Sequence, residues 1–319
     1  MSEQTTPLPR VIVLSGGLSH ERDVSIRSGR RVTMALREQG HEVIESDIGS
    51  GLVDLLRSNP DAVVVSMLHG GVGEDGALRE VFDLVGARYV GSDGRASRLA
   101  WDKSIATPVL ARRGVTVPKQ VVLPHEVFRE LGAAALVDSI AESMGFPLMV
   151  KPARSGSALG CSRVDSTDEL PSAMVGAYAY GTETVVEEFI EGTEVAVAVV
   201  ACGDDVRVLP AVEIRPDSGV YDYEARYTAG ATRFLVPAEI SAETAAKCEA
   251  MARTVHHALG LDGVHRIDIM INKDGEPVFL ESNVSPGMTE TSLVPLALEA
   301  AGLDLGAEMS RLVVAAAER

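Results

Sequence analysis

The stretch HRIDIMINKDGEPVFLESNVSPG, residues 265–287, decides how the chain is read. Two apolar runs flank Asp274–Gly275, a dipeptide that tolerates the backbone of a tight turn, so the segment predicts a β-hairpin. Alternate residues of a strand share a face, so Arg266 and Asp268 project together, as do Glu281 and Asn283. If the two runs pair across the turn, Asp268, Glu281 and Asn283 converge. All three offer oxygen donors, which suit Mg²⁺, a hard cation usually shared with nucleotide phosphates. A solvated acidic face is the alternative. The apolar neighbours argue against it, because loose carboxylates among them would be costly.

Upstream, KPARSGSALG (residues 151–160) follows the apolar run FPLMV and predicts strand, glycine loop and strand. Glycines let backbone amides approach a phosphate, and Lys151 can offset its charge. No GK[ST] ends the loop, so it is not a P-loop, and an ordinary turn remains open on this segment alone. Nearer the N-terminus, GGLSHERDVS and LHGGVGEDG each follow a predicted strand. Such turns at the C-terminal ends of parallel strands are where ligands bind in open sheets. Glu21 there can hold an ammonium group, with His69 in the neighbouring turn. YDYEARY (residues 221–227) lies between glycines and reads either as a loop that closes over a site or as a surface loop.

Strands at 10–15, HEVIESD, DAVVVSMLHG and ARYVGS alternate with helices at 23–39, LVDLLRSNP and ALREVFDLVG. This alternation predicts an open parallel sheet in an α/β domain over residues 1–91. The first helix is expected to bury Val24, Ile26, Val32, Ala35 and Leu36. A helical pattern runs from Arg95 to about Arg113. Residues 92–185 are expected to form a small α+β module, and 186–319 a larger α+β one. The strands of the last region include EVAVAVVAC, VRVLPAVEI and the hairpin, with helices at SAETAAKCEAMARTVHHALG and SLVPLALEAAGLD.

Apolar residues make up 46% of the 319-residue chain, enough for a sizeable core. A formal charge of −17 argues against nucleic acid as a partner, though not against a locally basic anion site. No run approaches the roughly 20 apolar residues that span a bilayer, and the N-terminus lacks the pattern of a secretory leader. Cys161, Cys202 and Cys248 are few and scattered, which suits a reducing compartment. The cytoplasm is expected, without a membrane partner.

GGLSHERDVSIRSG, LHGGVGEDG, WDK, FPLMVKPARSGSALG, YDYEARY, GVHRIDIM and LESNVSPGMTETSLVP follow one another from Val11 to about Val313. In that order they resemble the signature segments of the D-alanine–D-alanine ligases, within the ATP-grasp superfamily. The resemblance implies an open-sheet N-terminal domain followed by a two-part ATP-grasp fold. The implied activity is ATP-dependent joining of two D-alanines through an acylphosphate, for peptidoglycan precursors. It further implies ATP as co-substrate, two Mg²⁺ ions with Mn²⁺ as a substitute, and a homodimer. Lys103, Lys151 and Arg226 would meet the phosphates, with Glu187, Phe189, Ile190 and Glu194 holding adenine and ribose. Asp268, Glu281 and Asn283 would carry the metal. Arg266 and the Gly287 amide would stabilise the oxyanion, and Glu21 would bind the first ammonium, linked to Ser157 and Tyr227 with His69 nearby. Ser292 and the Leu293 amide would bind the second carboxylate at a helix N-terminus, where an anion is favoured.

The chain also departs from the family's usual pattern. Arg226 stands for a lid Lys, Ala158 for a second Ser, Ser155 for a commonly acidic residue and Arg79 for Gln. Tyr227 is kept where relatives that use D-lactate carry His, which favours an amine nucleophile. A ligase with another second substrate such as D-serine, or a catalytically silent ATP-binding relative, are the alternative readings.

Overall fold

The structure is a computed structural model that describes residues 7–221, 225, 226, 228 and 230–319. Its N-terminal sheet contains β1 (Val11–Leu14), β2 (Val43–Ser46), β3 (Val63–Ser66) and β4 (Arg88–Tyr89). All its pairings are parallel, in the order β2-β1-β3-β4. β1 and β3 are buried at every position, as strands covered on both faces must be. Leu52 and Leu56 of α2 (Leu52–Ser58) and Leu78 and Phe82 of α3 (Ala77–Val85) cover one face. Val32 and Leu36 of α1 (Arg22–Glu38) cover the other.

Of the stripe expected on α1, Val32 and Leu36 are buried, while Val24, Ile26 and Ala35 are half-buried and Ser25, Ser28, Gly29 and Thr33 are inside with them. Ser25, Ser28 and Gly29 are inside because they are bonded or closely approached there. Ser25 Oγ accepts from the Gly16 amide at 2.8 Å and donates to the Met67 carbonyl at 2.7 Å. A Cβ on Gly29 would lie 2.5 Å from that of Ser15.

The helical pattern at 95–113 is two helices, α4 (Gly94–Trp101) and α5 (Lys103–Ala111). Asp102 breaks the run, because its extended backbone lets its carboxylate accept from the Ser104 amide at 3.0 Å as an N-cap. A second, antiparallel sheet follows: β5 (Gln120–Pro124), β6 (Leu148–Pro152), β7 (Ser162–Val164) and β8 (Glu183–Glu188), in the order β5-β8-β6-β7. α6 (His125–Leu131), α7 (Ala133–Met144) and α8 (Leu170–Tyr178) accompany it.

The third sheet runs β12-β11-β9-β13-β14, with β10 also paired to β9. Its strands are β9 (Gly192–Cys202), β10 (Asp205–Val208), β11 (Val212–Pro216), β12 (Thr232–Leu235), β13 (Gly263–Asn272) and β14 (Pro277–Asn283). Helices α9 (Ala242–Leu259), α10 (Leu293–Ala300) and α11 (Leu305–Ala317) complete the chain. α11 was not expected. Its apolar face, Met309, Leu312, Val313 and Ala316, packs on the N-terminal sheet.

β9 alternates between two cores. Val195, Val197, Val199 and Ala201 meet α4, α5 and α9, while Ala196, Ala198 and Val200 face the opposite way. One core joins the first and third sheets, Ala96 and Leu110 pack with the third, and β8 continues to Glu188 within the second.

His265 is fully buried on the α9 side of β13, its ring stacked on His256 at 5.1 Å. Burial, then His256, pushes its pKa from 6.5 down to about 3. The folded chain therefore keeps His265 neutral while the unfolded chain takes up a proton below pH 6.5, so this contribution to stability is lost as pH falls. Urea unfolding between pH 7 and 5 should show falling stability with a shallower slope in His265→Leu; equal slopes would count against it.

Candidate active site

The hairpin forms as expected, with Gly275 at φ +79° and both the Asp274 and Glu276 amides donating to Asn272 Oδ1 at 3.0 Å. Its register sets Arg266 opposite Asn283 and Asp268 opposite Glu281. Directly beyond, a bulge omits Leu280 from the pairing. Arg266 grips Asp268 with two hydrogen bonds of 2.7 Å. Burial alone would lower the Arg266 pKa, but Asp268 outweighs it and raises it.

Lys103 opens α5 and reaches two other parts of the chain. Its Nζ lies 3.0 Å from Glu281 and donates to the Ser155 carbonyl at 2.9 Å. Burial opposes the charge on both partners, yet each is held in its ionised form by its neighbours. Lys103 is raised by Glu281, and Glu281 is lowered to about 2 by Lys103, Arg226 and Lys151. On the second sheet Lys151 of β6 pairs with Glu187 of β8 at 2.6 Å, and both are buried.

Two clefts meet at these charges. One, of about 1150 Å³, is lined by Lys103, Lys151, Glu187, Phe189, Ile190, Glu194 and Arg226, every residue expected to contact the nucleotide. Met270, Leu280 and Ile214 add an apolar floor that sequence reasoning missed. Met270 follows from the alternation that places Asp268. Leu280 faces the cleft beside Glu281 where β14 bulges, which no period-2 pattern gives. Arg163 was also missed; its guanidinium lies 4.5 Å from the centre of the Phe189 ring. Burial, partly opposed by Arg226, raises Glu194 to about 7.

The other cleft, of about 1020 Å³, gathers Glu21, His69, Ser157, Arg266, Glu281, Asn283, Gly287, Ser292 and Leu293. Ser157 Oγ donates to Glu21. Ser157 and Ala158 both have left-handed backbones, at φ 51° and 55°, a cost that non-glycine residues bear where surroundings hold them. His69 Nδ1 lies 2.7 Å from the Ser285 carbonyl, which can only accept, so Nδ1 carries the proton and Nε2 accepts from Ser28 at 3.3 Å. Burial lowers the His69 pKa and keeps the ring neutral. A Cβ on Gly287 would lie 2.8 Å from Ser292 Oγ, so the close approach of these residues depends on glycine. Ser292 is the N-cap of α10, and its Oγ accepts from the Thr289 amide at 3.0 Å. Tyr227 lies outside the described residues.

Trp101, Arg27, Tyr221 and Glu74 also line this cleft and were not singled out from the sequence. Glu74 stood within a noted loop, but nothing in the pattern said that it would be buried. It accepts from the Gly70 amide at 3.0 Å, and burial, then Glu21, raises it from 4.5 to about 8. Arg226 stacks 4.3 Å from the centre of the Tyr221 ring.

The two clefts share Lys103, Ser155, Tyr221, Arg226 and Glu281. The first cleft thus opens directly onto the second. Residues 109–314 match the family model described as D-ala D-ala ligase C-terminus. A D-alanine–D-alanine ligase of Geobacter sulfurreducens is 37% identical over 317 residues, covering 99% of this chain and 96% of that one. The chain belongs to the D-alanine–D-alanine ligase family.

Among solved members of this ATP-grasp family, the VanG D-Ala:D-Ser ligase from Enterococcus faecalis superposes with a TM-score of 0.85 at 30% identity. That match covers 97% of this chain and 99% of the other. The D-alanine–D-alanine ligase of Bacillus anthracis complexed with ATP gives 0.80 at 27% identity, covering 98% of each chain. The expected fold class, an open parallel sheet followed by the two-part ATP-grasp fold, is the one observed.

Two variants probe the charges specific to this ligase-family site. Because the folded chain keeps Glu74 protonated from pH 4.5 to about 8, this group lowers stability as pH rises through that window. Glu74→Gln should retain the Gly70 bond and remove that slope in denaturant titrations, and an unchanged slope would reject the assignment. Lys151→Met should cost about 3 kcal/mol by leaving buried Glu187 unpaired, and Lys151→Met with Glu187→Met should recover most of it.

Proposed function

We propose that this chain joins two D-alanine molecules into D-alanyl-D-alanine at the expense of ATP. The observation that carries the reading is the junction of the two clefts at Lys103, Arg226 and Glu281. A phosphate presented there would meet a carboxylate held in the second cleft. Lys103, Lys151 and Arg226 would neutralise the phosphates, while Glu187, Phe189, Ile190 and Glu194 would hold the adenosine. The ATP complex of the Bacillus anthracis relative supports ATP as the nucleotide.

The donor chemistry of Asp268, Glu281 and Asn283 fits Mg²⁺. Two carboxylates and an amide oxygen stand on facing strands, and Glu281 is ionised throughout the neutral range. Their present partners, Arg266, Lys103 and the Ser285 amide, would share those oxygens with the metal. When bound, two Mg²⁺ ions, or Mn²⁺ in their place, would supply charge neutralisation for phosphoryl transfer.

The first D-alanine, its ammonium on Glu21, would attack the γ-phosphate through its carboxylate oxygen, breaking the bond to ADP and giving an acylphosphate. This converts a poor leaving oxygen into phosphate. The second D-alanine, its carboxylate on Ser292 and the Leu293 amide, would attack the acyl carbon through its amine, once the ammonium has lost a proton to solvent, and the surplus N–H proton would leave with the phosphate. Arg266 and the Gly287 amide would donate to the oxyanion until it collapses and phosphate leaves. Glu21, Ser157 and Tyr227, with His69 beside them, would link the first substrate to the closing segment.

Peptidoglycan precursor synthesis is the process this product serves, and the cytoplasm, with its ATP, is the proposed compartment. Among the described residues no helix is long and apolar enough to cross a membrane. The working unit would be a homodimer. A second reading, D-serine as the second substrate, is favoured by the similarity to the Enterococcus faecalis D-Ala:D-Ser ligase.

The test is ADP and phosphate release with Mg-ATP and D-alanine alone, D-alanine with D-serine, L-alanine, or D-alanine with D-lactate, with products identified by mass. Release with D-alanine alone, yielding its dipeptide, is expected. Turnover only with a mixed pair would move the function to the second reading, and nucleotide binding without turnover would reject both. Arg266→Met should lower kcat by about 10²–10³-fold.

A further inference from the structure

Behind the second cleft, with which it shares Ser285, a small recess lies between the N-terminal sheet and the loop that carries Ser285 and Pro286. Most of its wall is apolar, including Val65, Val90, Val264 and Met309. Three polar side chains interrupt it, of which Ser285 already donates to the Leu68 carbonyl at 2.7 Å. Arg79 of α3 is 3% exposed, and its Nε and Nη1 meet no acceptor among the described residues. Ser66, at the end of β3, is 4% exposed, and its Oγ is likewise unpartnered there.

A buried guanidinium with no direct ion-pair partner is costly, and Asp83 acts on Arg79 only from farther away. Phe82 and Tyr89, with ring centres 5.7 and 5.5 Å from the Arg79 carbon, return part of that cost through their π faces. Neither ring can accept the in-plane N–H bonds. Burial lowers the Arg79 pKa only to about 10, so the group stays cationic at neutral pH. Gly91 leaves room on the guanidinium side of the recess, since even a Cβ there would stand 3.7 Å from Nη2. The unmatched polar groups are thus a fixed cation and a hydroxyl able to donate, in a space too small and too apolar for a large organic acid.

We propose that the Arg79–Ser66 recess binds one small monovalent anion of halide size, seated between the N-terminal sheet and the Ser285–Pro286 loop. Arg79 supplies the charge and two N–H donors, and Ser66 supplies an O–H donor. The anion would add a bridge between the sheet and that loop, so its first effect is on stability.

The test compares thermal unfolding of the full chain in sodium chloride, sodium bromide and sodium gluconate at constant ionic strength. Tm should rise saturably, by about 2–3 °C up to roughly 0.2 M halide, and not with gluconate. A bromide-soaked crystal should show one anomalous peak within hydrogen-bond distance of Arg79 and Ser66. Arg79→Met should abolish the halide dependence. Identical Tm in halide and gluconate, or a halide dependence that survives Arg79→Met, would overturn the proposal. So would an anomalous peak at molar bromide without any Tm effect, which would mark an adventitious ion only. If Arg79→Met does not fold, the bromide peak and the Tm series on the unaltered chain still decide.

Discussion

The ion pair between Lys103 and Glu281 is the contact on which the site depends. Lys103 stands at the start of α5, Glu281 is on β14, and the same ammonium holds the Ser155 carbonyl of the glycine loop. One cation thereby fixes the distance between a helix, the hairpin and the loop of the second sheet. Such a pair is stable in the interior only because its remaining capacity is also used. Arg226 and Lys151 act on Glu281 from farther away, and Arg266 is occupied by Asp268. The face is a lattice of opposite charges in which each cation has a carboxylate within reach.

Most of this face was legible in the sequence because strands obey a strict period. Once Asp274–Gly275 set the turn, Arg266, Asp268, Glu281 and Asn283 had to share one side, and the register confirms that they do. The lining of the first cleft was legible only through the family resemblance, since nothing local in Glu187 or Ile190 announces adenosine. What escaped was of three kinds. Leu280 faces the cleft at a bulge, where one extra residue resets the period. Glu74 lies buried in a loop whose polarity argued for exposure. Ser25 and Ser28 lie inside because carbonyls, amides and His69 from other segments meet them, and those partners are distant in sequence.

α11 escaped for another reason. Its Asp304 cap and its apolar spacing at 309, 312, 313 and 316 are ordinary helix signals, yet the reading stopped at the preceding helix. The last signature segment ends at Pro295, so no motif drew attention to it. The helix nonetheless packs with Val11, Val13, Val63 and Val65, so the last residues of the chain complete the core of the first sheet.

The packing of α4 and α5 has a consequence for how the chain is made. Ala96, Ala100, Ala106 and Leu110 have their partners on β9, β13 and α9, beyond the whole of the second sheet. On a ribosome these two helices emerge with a bare apolar face, which stays uncovered while the second sheet, complete in itself around Leu148, Val150 and Val186, is synthesised. The docking of α4 and α5 therefore waits for the strands after 192, although the second sheet has its own core and needs nothing from them.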